Sequence, residues 1–276
     1  MPSIVGCALG YSLKTLFPFL VTLAAYSPGV ETHLLVRDPA PDLEAFTRSI
    51  RVHLHRHVGP GAVRRFEWYA SVCTAERSPC LALDTRDVVF QSTPRLDAPG
   101  AVLAFAEHAT ITISRDWHNI RWVRKCFGAP MARTIGSNPI MNSGAILGRT
   151  DGFHALVERF NMLNRTALCR PDTHHDQAYL NVAVHTRGVP GASIAYPNES
   201  FVQNMALALL RTPRDAARVP GESDDGDWIL DTSGARVPVL HQFDRHPRMR
   251  RIVRRLVHRA TSIVQENGVY VDPRWR

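Results

Sequence analysis

Short apolar runs suited to buried strands alternate with amphipathic stretches through most of this chain, and that alternation restricts the fold more than any other feature. Residues 3–9 open the series as a strand, and residues 12–26 follow as a helix with Ser12 as its cap. Pro18 is expected to kink that helix or to delay its start. Residues 32–37 read as strand, 43–49 as helix, 52–55 as strand and 63–75 as helix. Residues 80–83 and 101–106 are strands, 115–127 have helical spacing, 139–147 return to strand, and 151–163 and 175–184 are helical. The pattern predicts an α/β fold whose mixed, mostly parallel sheet is flanked by helices. Ligands of such sheets sit at the carboxyl ends of strands.

At 276 residues with 45% hydrophobic content, the chain can bury a full core as one large domain or as one domain with an appendage. No apolar run of about eighteen residues occurs, so no transmembrane span is expected. The segment SLKTLFPFLVTLAAY at 12–26 carries Lys14, lacks a preceding basic stretch and follows a strand, so it reads as a first helix rather than an export signal. Five cysteines, Cys7, Cys73, Cys80, Cys126 and Cys169, are scattered without paired spacing. That distribution suits reduced thiols better than disulfides or zinc and points to a cytoplasmic setting. The formal charge is +8, and Lys14 and Lys125 are the only lysines beside many arginines. A basic surface favours polyanionic ligands: nucleotide diphosphates, anionic glycans or anionic membranes.

Within this framework LALDTRDVVFQ at 81–91 delivers Asp84 and Asp87 around the end of an apolar strand. Paired carboxylates there suit a hard cation such as Mg²⁺ or Mn²⁺ held against a diphosphate; a helix cap or turn is the plainer use of the same residues. His241 ends the apolar VPVL run and opens HQFDRHP. It is either a hydrogen-bonded structural histidine or the nitrogen ligand that Mn²⁺ tolerates better than Mg²⁺. Asp244 and Arg245 in that segment suit a local ion pair. In IMNSGAILG, Gly144 beside Asn142 and Ser143 permits either close approach of a substrate or a β-bulge. Asp176 and Gln177 in HHDQAYLN stand at a helix start, where Asp176 serves the helix dipole or a reacting sugar. The adjacent His174 and His175 point apart on a helix and do not suggest a metal site.

The ordered set is more specific than any member. Tyr11-Ser12 after a first strand, an Asp pair before Val88-Val89-Phe90, NSG on a later strand, DQAYLN on a helix and HQ after a late strand resemble nucleotide-sugar glycosyltransferases of the GT-A fold. The match is nearest to sequences with DVRDVVFQ-like and HQYDRHP-like segments and covers about residues 3–247. It implies a Rossmann-like GT-A domain, a nucleotide-diphosphate-sugar donor, Mn²⁺ or Mg²⁺, and a glycan or other hydroxyl acceptor. By this resemblance Asp87 matches the last Asp of the DxD signature, while the first position falls on Thr85 and Asp84 stands one residue earlier. Asp87 is then the better metal ligand, and Asp84 a ligand or a ribose, sugar or water-mediated contact. His241 matches a late histidine that ligates metal or diphosphate. Asn142, Ser143, Gly144, Asp176 and Gln177 match segments around the sugar and acceptor, with Asp176 and Gln177 the catalytic candidates. Arg86 is a donor contact or a salt bridge, and Tyr11 is a stacking surface for the base or an ordinary surface tyrosine.

Residues 212–237, rich in Pro, Gly, Ser and Asp, are expected to form a long surface loop or a mobile lid. Arg121, Arg124 and Lys125 read as a solvated basic face or a diphosphate contact. Beyond the domain at 1–247, residues 248–276 form a basic helix and tail. An apolar stripe of Met249, Ile252, Val253, Leu256, Val257, Ala260, Ile263 and Val264 there suits core docking or attachment to an anionic membrane. Two other readings stay open: a metal-dependent phosphohydrolase, and a non-enzymatic basic module for membrane or nucleic acid. DTRD lacks the DxDxT nucleophile pattern, and no Walker lysine loop or GxGxxG follows the first strand. No aromatics interleave with the arginines of the terminal helix, which weakens nucleic acid as a partner.

Overall fold

The computed structural model describes residues 1–57, 65–169, 175–197, 200–208, 221–223, 226–245 and 247–275. The elements in chain order are β1 (Ser3–Cys7), α1 (Leu13–Tyr26), β2 (Glu31–Val36), α2 (Pro41–Ser49), β3 (Val52–Arg56), α3 (Arg65–Val72), β4 (Cys80–Asp84), β5 (Val88–Phe90) and β6 (Val102–Ala106). There follow α4 (Trp117–Ile135), β7 (Met141–Gly148), α5 (Thr150–Asn164), α6 (Asp176–His185), β8 (Ala192–Ala195), β9 (Val202–Asn204) and α7 (Met205–Ala208). The chain closes with β10 (Gly221–Glu222), β11 (Ile229–Leu230), β12 (Val239–His241) and α8 (Pro247–Glu266).

A seven-stranded sheet in the order β3-β2-β1-β4-β7-β6-β8 forms the centre, parallel except at β7, which runs antiparallel to both its neighbours. Alternation along the strands sends successive side chains to opposite faces. Val5, Ala82, Ala104 and Ile146 face a core built with α3, α4, α5 and α6. Their neighbours Ile4, Leu81, Leu103 and Leu147 face another built with α1, α2 and α8. Both faces are thus covered, as the alternating pattern requires.

A smaller three-stranded sheet, β5-β12-β9, pairs β12 antiparallel to β5 and parallel to β9. Helix α1 runs unbroken through Pro18, and Ser12 caps it by accepting from the Thr15 amide at 3.4 Å. Helix α4 continues past Phe127, but Gly128, at φ 80° and ψ 171°, divides it into two segments. Only a residue without a Cβ takes that backbone geometry readily.

Three expectations meet the structure here, and the first changes. Four of the five cysteines pair, as Cys73–Cys80 and Cys126–Cys169, and Cys7 alone is free. The first pair joins the end of α3 to the start of β4, and the second joins α4 to the segment after α5, so tertiary contact supplies what sequence spacing does not show. The reduced-thiol argument for a cytoplasmic setting falls with it. Second, in the 212–237 segment residues 232–236 are exposed, as the surface-loop reading expects, while Trp228, Ile229 and Val237 are buried: Gln91 donates to the carbonyls of Ile229 and Val237 at 3.0 and 2.7 Å and accepts from the Ile229 amide at 2.8 Å. Trp228 is buried between Tyr26 and the guanidiniums of Arg236 and Arg259. Residues 212–220 and 224–225 of that segment, together with His174, lie outside the described residues. Third, the stripe of α8 follows the core-docking reading: Met249, Ile252, Val253, Leu256, Ala260 and Val264 are buried, Val257 and Ile263 are half-buried, and the opposite face, rich in arginine, meets solvent. Among the described residues no helix is long and apolar enough to cross a membrane.

Candidate active site

The parallel strands β1 and β4 and the antiparallel β7 bring one end of the sheet together. Asp84 is the last residue of β4, and the register that pairs Leu83 with Ala145 sets Gly144 beside it. Asp87 immediately precedes β5, and the pairing of Val88 with His241 across β5 and β12 brings the histidine to the aspartate. Asp84 Oδ2 lies 3.4 Å and Asp87 Oδ1 3.6 Å from His241 Nε2. Chain ends far apart in sequence thus meet through strand pairing.

The fit of this group to a cation rests on the histidine. Nδ1 of His241 is 2.7 Å from Asn204 Oδ1, an oxygen that only accepts, so Nδ1 carries the proton. In the neutral ring Nε2 then presents a lone pair towards two carboxylates. That nitrogen is buried and makes no hydrogen bond among the described residues. A proton or a metal cation between the three groups resolves the conflict, and an Asp-Asp-His donor set with its atoms within 4.8 Å of one another suits a divalent ion. Gly144 completes the fit, because a Cβ there would meet Asp84 Oδ2 at 2.3 Å and His241 Cε1 at 2.5 Å. The glycine therefore makes room for the acidic group itself.

The surrounding charges act unevenly. Burial raises the Asp84 carboxyl, but the Arg65 charge and His241 outweigh it and hold it below the ordinary range. Burial dominates at Asp87 and raises it, against the pull of His241. Burial disfavours the His241 imidazolium, yet the Asp84 and Asp87 carboxylates facing Nε2 raise its affinity for a proton.

Arg65, at the start of α3, was not singled out by sequence, and it ties the site together. It pairs with Asp84, with Asp176 Oδ2 at 2.6 Å, and donates to Ser143 Oγ at 3.0 Å. Ser143 Oγ in turn donates to Asp176 Oδ1 at 3.1 Å. Asp176 is thereby placed next to the acidic group from the first turn of α6; burial raises its carboxyl in spite of Arg65. Gln177 Nε2 donates to Glu107 Oε1 at 3.1 Å and to Asn119 Oδ1 at 2.8 Å, while its Oε1 accepts from the Ser143 amide at 3.4 Å.

At the rim, Arg86 pairs with Asp244 at 3.4 Å and Asp87 at 3.9 Å, and Arg245 pairs with Asp244 at 3.4 Å, as the turn reading anticipates. Tyr11 is 37% exposed, and burial raises its hydroxyl while Arg86 opposes, with Asp84 and Asp87 also in electrostatic reach. Ser12 turns its oxygen to the helix cap. Arg121, Arg124 and Lys125 are exposed, with Lys125 Nζ 3.1 Å from His175 Nε2.

Glu107, Asn119 and Asn204 join Arg65 as site residues that the sequence reading missed. Glu107 ends the apolar run VLAFA just as Asp84 ends CLAL, so the same signal was present. Burial raises its carboxyl to about 7, against the hydrogen bonds of Asn142 and Gln177 and the charge of His241, with Asp116 adding to the rise. Because its folded pKa exceeds the unfolded one, the native state favours the protonated form, and stability falls as pH rises from the unfolded value near 4.5 towards 7. Glu107→Gln removes that penalty. Its advantage over the unaltered protein in urea unfolding should be small at pH 5 and grow to on the order of 3 kcal/mol at pH 8; an advantage independent of pH would refute this.

The sheet order and the site at its carboxyl ends define a GT-A-like fold. Among solved structures the chain is similar to the glycosyltransferase GlyE of Streptococcus pneumoniae TIGR4, with a TM-score of 0.56 and 13% identity over 96% of this chain and 62% of that one. It is also similar to an active-site mutant of LgtC, with a TM-score of 0.57 and 14% identity over 99% of each chain. The chain thus spans less than two thirds of GlyE and nearly all of LgtC. No family model matches the sequence, and no curated protein matches it.

Proposed function

We propose that this chain is a metal-dependent glycosyltransferase that moves a sugar from a nucleotide-diphosphate sugar to a glycan or other hydroxyl acceptor. The observation that carries the reading is the meeting of Asp84, Asp87 and the unpaired Nε2 of His241 at the carboxyl end of a GT-A-like sheet. These three residues would hold Mn²⁺ or Mg²⁺, the imidazole favouring Mn²⁺. A cation held there would supply positive charge against the nucleotide diphosphate leaving group.

The chain's own residues do the rest. Arg86 and Tyr11 stand at the rim for the diphosphate and base, with Ser12 fixing the turn that carries Tyr11. Asn142, Ser143 and Gly144 line the floor beside the donor sugar. Asp176 is the candidate catalytic carboxylate, since Arg65 and Ser143 hold it by the acidic group, where it can stabilise positive charge developing on the sugar. Gln177 Oε1 has a second lone pair for a sugar hydroxyl beyond the Ser143 amide. A phosphohydrolase would use similar metal chemistry, but the likeness of fold is to glycosyltransferases.

Asp176→Asn tests the reading. The isostere keeps the hydrogen bond from Ser143 but loses its charge, so kcat should fall by about 10²-fold or more while nucleotide affinity stays near normal. The assay is product formation from a panel of nucleotide sugars. Release of free phosphate without a glycosylated product would point to the hydrolase instead, and near-normal turnover in the variant would return Asp176 to a structural role.

We assign the transferase unit to residues 1–247, with 248–276 docked upon it. The exposed arginines of α8 are proposed to contact an anionic membrane through charge alone, because the apolar stripe is buried. Arg255 and Arg259 already pair with Asp227. Exposed Arg250, Arg251 and Arg254 remain, each worth about 1 kcal/mol near an anionic surface. Co-sedimentation with phosphatidylserine vesicles should appear at low salt, vanish at high salt and be lost when these three become Gln; equal sedimentation of the triple variant would dismiss this partner.

A further inference from the structure

Glu107 is a buried carboxyl to which the transfer reading gives no part. It follows β6, its amide donates to the Ile140 carbonyl at 2.8 Å, and it is 5% exposed. Its Oε1 accepts from two elements at once: Asn142 Nδ2 of β7 at 2.7 Å and Gln177 Nε2 of α6 at 3.1 Å. Both amides turn their oxygens to the backbone of β7, Asn142 Oδ1 accepting from the Gly144 amide at 2.6 Å and Gln177 Oε1 from the Ser143 amide at 3.4 Å. A side-chain amide flipped end for end would set NH₂ against these N–H groups, donor against donor. One accepting oxygen therefore decides the orientation of two amides.

We propose that Glu107 is a positioning residue of the transfer site, which orients Asn142 and Gln177 so that their oxygens hold the Ser143–Gly144 backbone against Asp84 and His241. Gly144 packs so closely on those two side chains that a single Cβ would collide with both, so a small shift of this backbone changes the space in which they meet. Gln177 Nε2 also donates to Asn119 at 2.8 Å, whereas the hydrogen bond from Asn142 Nδ2 goes to Glu107. Asn142 is accordingly the amide more dependent on Glu107. The kinetic consequence rests on the transferase reading; the geometric one does not.

The test compares Glu107→Leu, which removes the accepting oxygen, with Glu107→Gln, which retains one. In Glu107→Leu the Gly144 backbone amide, read by hydrogen exchange in NMR, should lose protection by tenfold or more. Mn²⁺ affinity by calorimetry should fall by at least tenfold, and kcat should drop more than the donor KM rises. Glu107→Gln should restore Gly144 protection and Mn²⁺ affinity to within a few-fold. Should Glu107→Leu fail to fold, Asn142→Ala gives the reading, with Gly144 protection lost in the same way. Native protection of Gly144 in either disabling variant, or failure of Glu107→Gln to restore it, overturns the proposal. Absence of Mn²⁺ binding and of transfer in the unaltered protein would instead overturn the transferase reading, with Gly144 exchange still deciding the role of Glu107.

Discussion

Asp87→Ala is expected to abolish cation-dependent nucleotide binding and to lower transfer by about 10³-fold or more, the several kcal/mol that a metal's charge supplies to a leaving diphosphate. Asp87 is the carboxylate of the acidic group with the fewest other duties. Its Oδ1 faces His241, and the guanidinium of Arg86 lies 3.9 Å away at the rim. Asp84, in contrast, shares its charge with Arg65, so it cannot take over. The side chain of Asp87 is only 8% exposed, and truncation therefore leaves a small gap rather than an opened surface. Titration calorimetry of Mn²⁺ with nucleoside diphosphates checks the loss. Tight binding in excess chelator, unchanged by the substitution, would sink the metal-dependent mechanism.

The second large effect is on stability. Arg65→Met should destabilise the fold by about 3 kcal/mol, because removing one partner strands buried charge on the others. Asp176 suffers most, with a side chain only 7% exposed and its Oδ2 2.6 Å from the guanidinium; Asp84, 35% exposed, recovers part of its loss from solvent. The pH dependence distinguishes this from simple loss of packing. In the unaltered protein Asp84 has a depressed pKa, so its contribution is present above the ordinary carboxylate range and disappears only in stronger acid. Without Arg65, both carboxyls are expected to bind protons more tightly folded than unfolded. The deficit of the variant should then shrink as pH falls through that range, and Asp176→Asn in the same chain should restore part of it. Urea unfolding at pH 7 and pH 4 measures both; a deficit that is constant with pH would mean lost contacts, not stranded charge.

Much of the frame was legible because strand and helix periodicities differ and because residues closing an apolar strand lie at one edge of the sheet. Asp84 could be marked on that ground, and Asn142, Ser143 and Gly144 as a polar, glycine-bearing interruption of a strand run. The meeting of Asp87 with His241 needed more, since β5 and β12 pair across most of the chain and both are three residues long. Periodicity has nothing to work on in so short a run. Arg65 gave no local signal, standing among other charged residues at a helix start, and Asn204 acts through a strand pairing that only the folded chain establishes. Gly144 was marked as a place for a substrate or for a β-bulge; the register between β6 and β7 shifts across 142–145, and the glycine's near neighbours are the protein's own Asp84 and His241. In 212–237 the composition marks a surface loop or lid but not the anchor within it, because Trp228 is one aromatic in a polar stretch and the cationic side chains it packs among come from folding.

The small sheet has a consequence of another kind. Its strands β5, β12 and β9 come from widely separated parts of the chain, and two of the three cation-binding candidates lie on one side of that separation with the third on the other. Occupancy of the group would close a very long loop and so act as a reversible clasp between early and late chain. Unlike the covalent bridges at Cys73–Cys80 and Cys126–Cys169, its strength would follow the free ion: about 2.7 kcal/mol at a hundred times the dissociation constant, and almost nothing well below it. The ionic composition of the surroundings would then set how firmly the last third of the protein is fastened to the first.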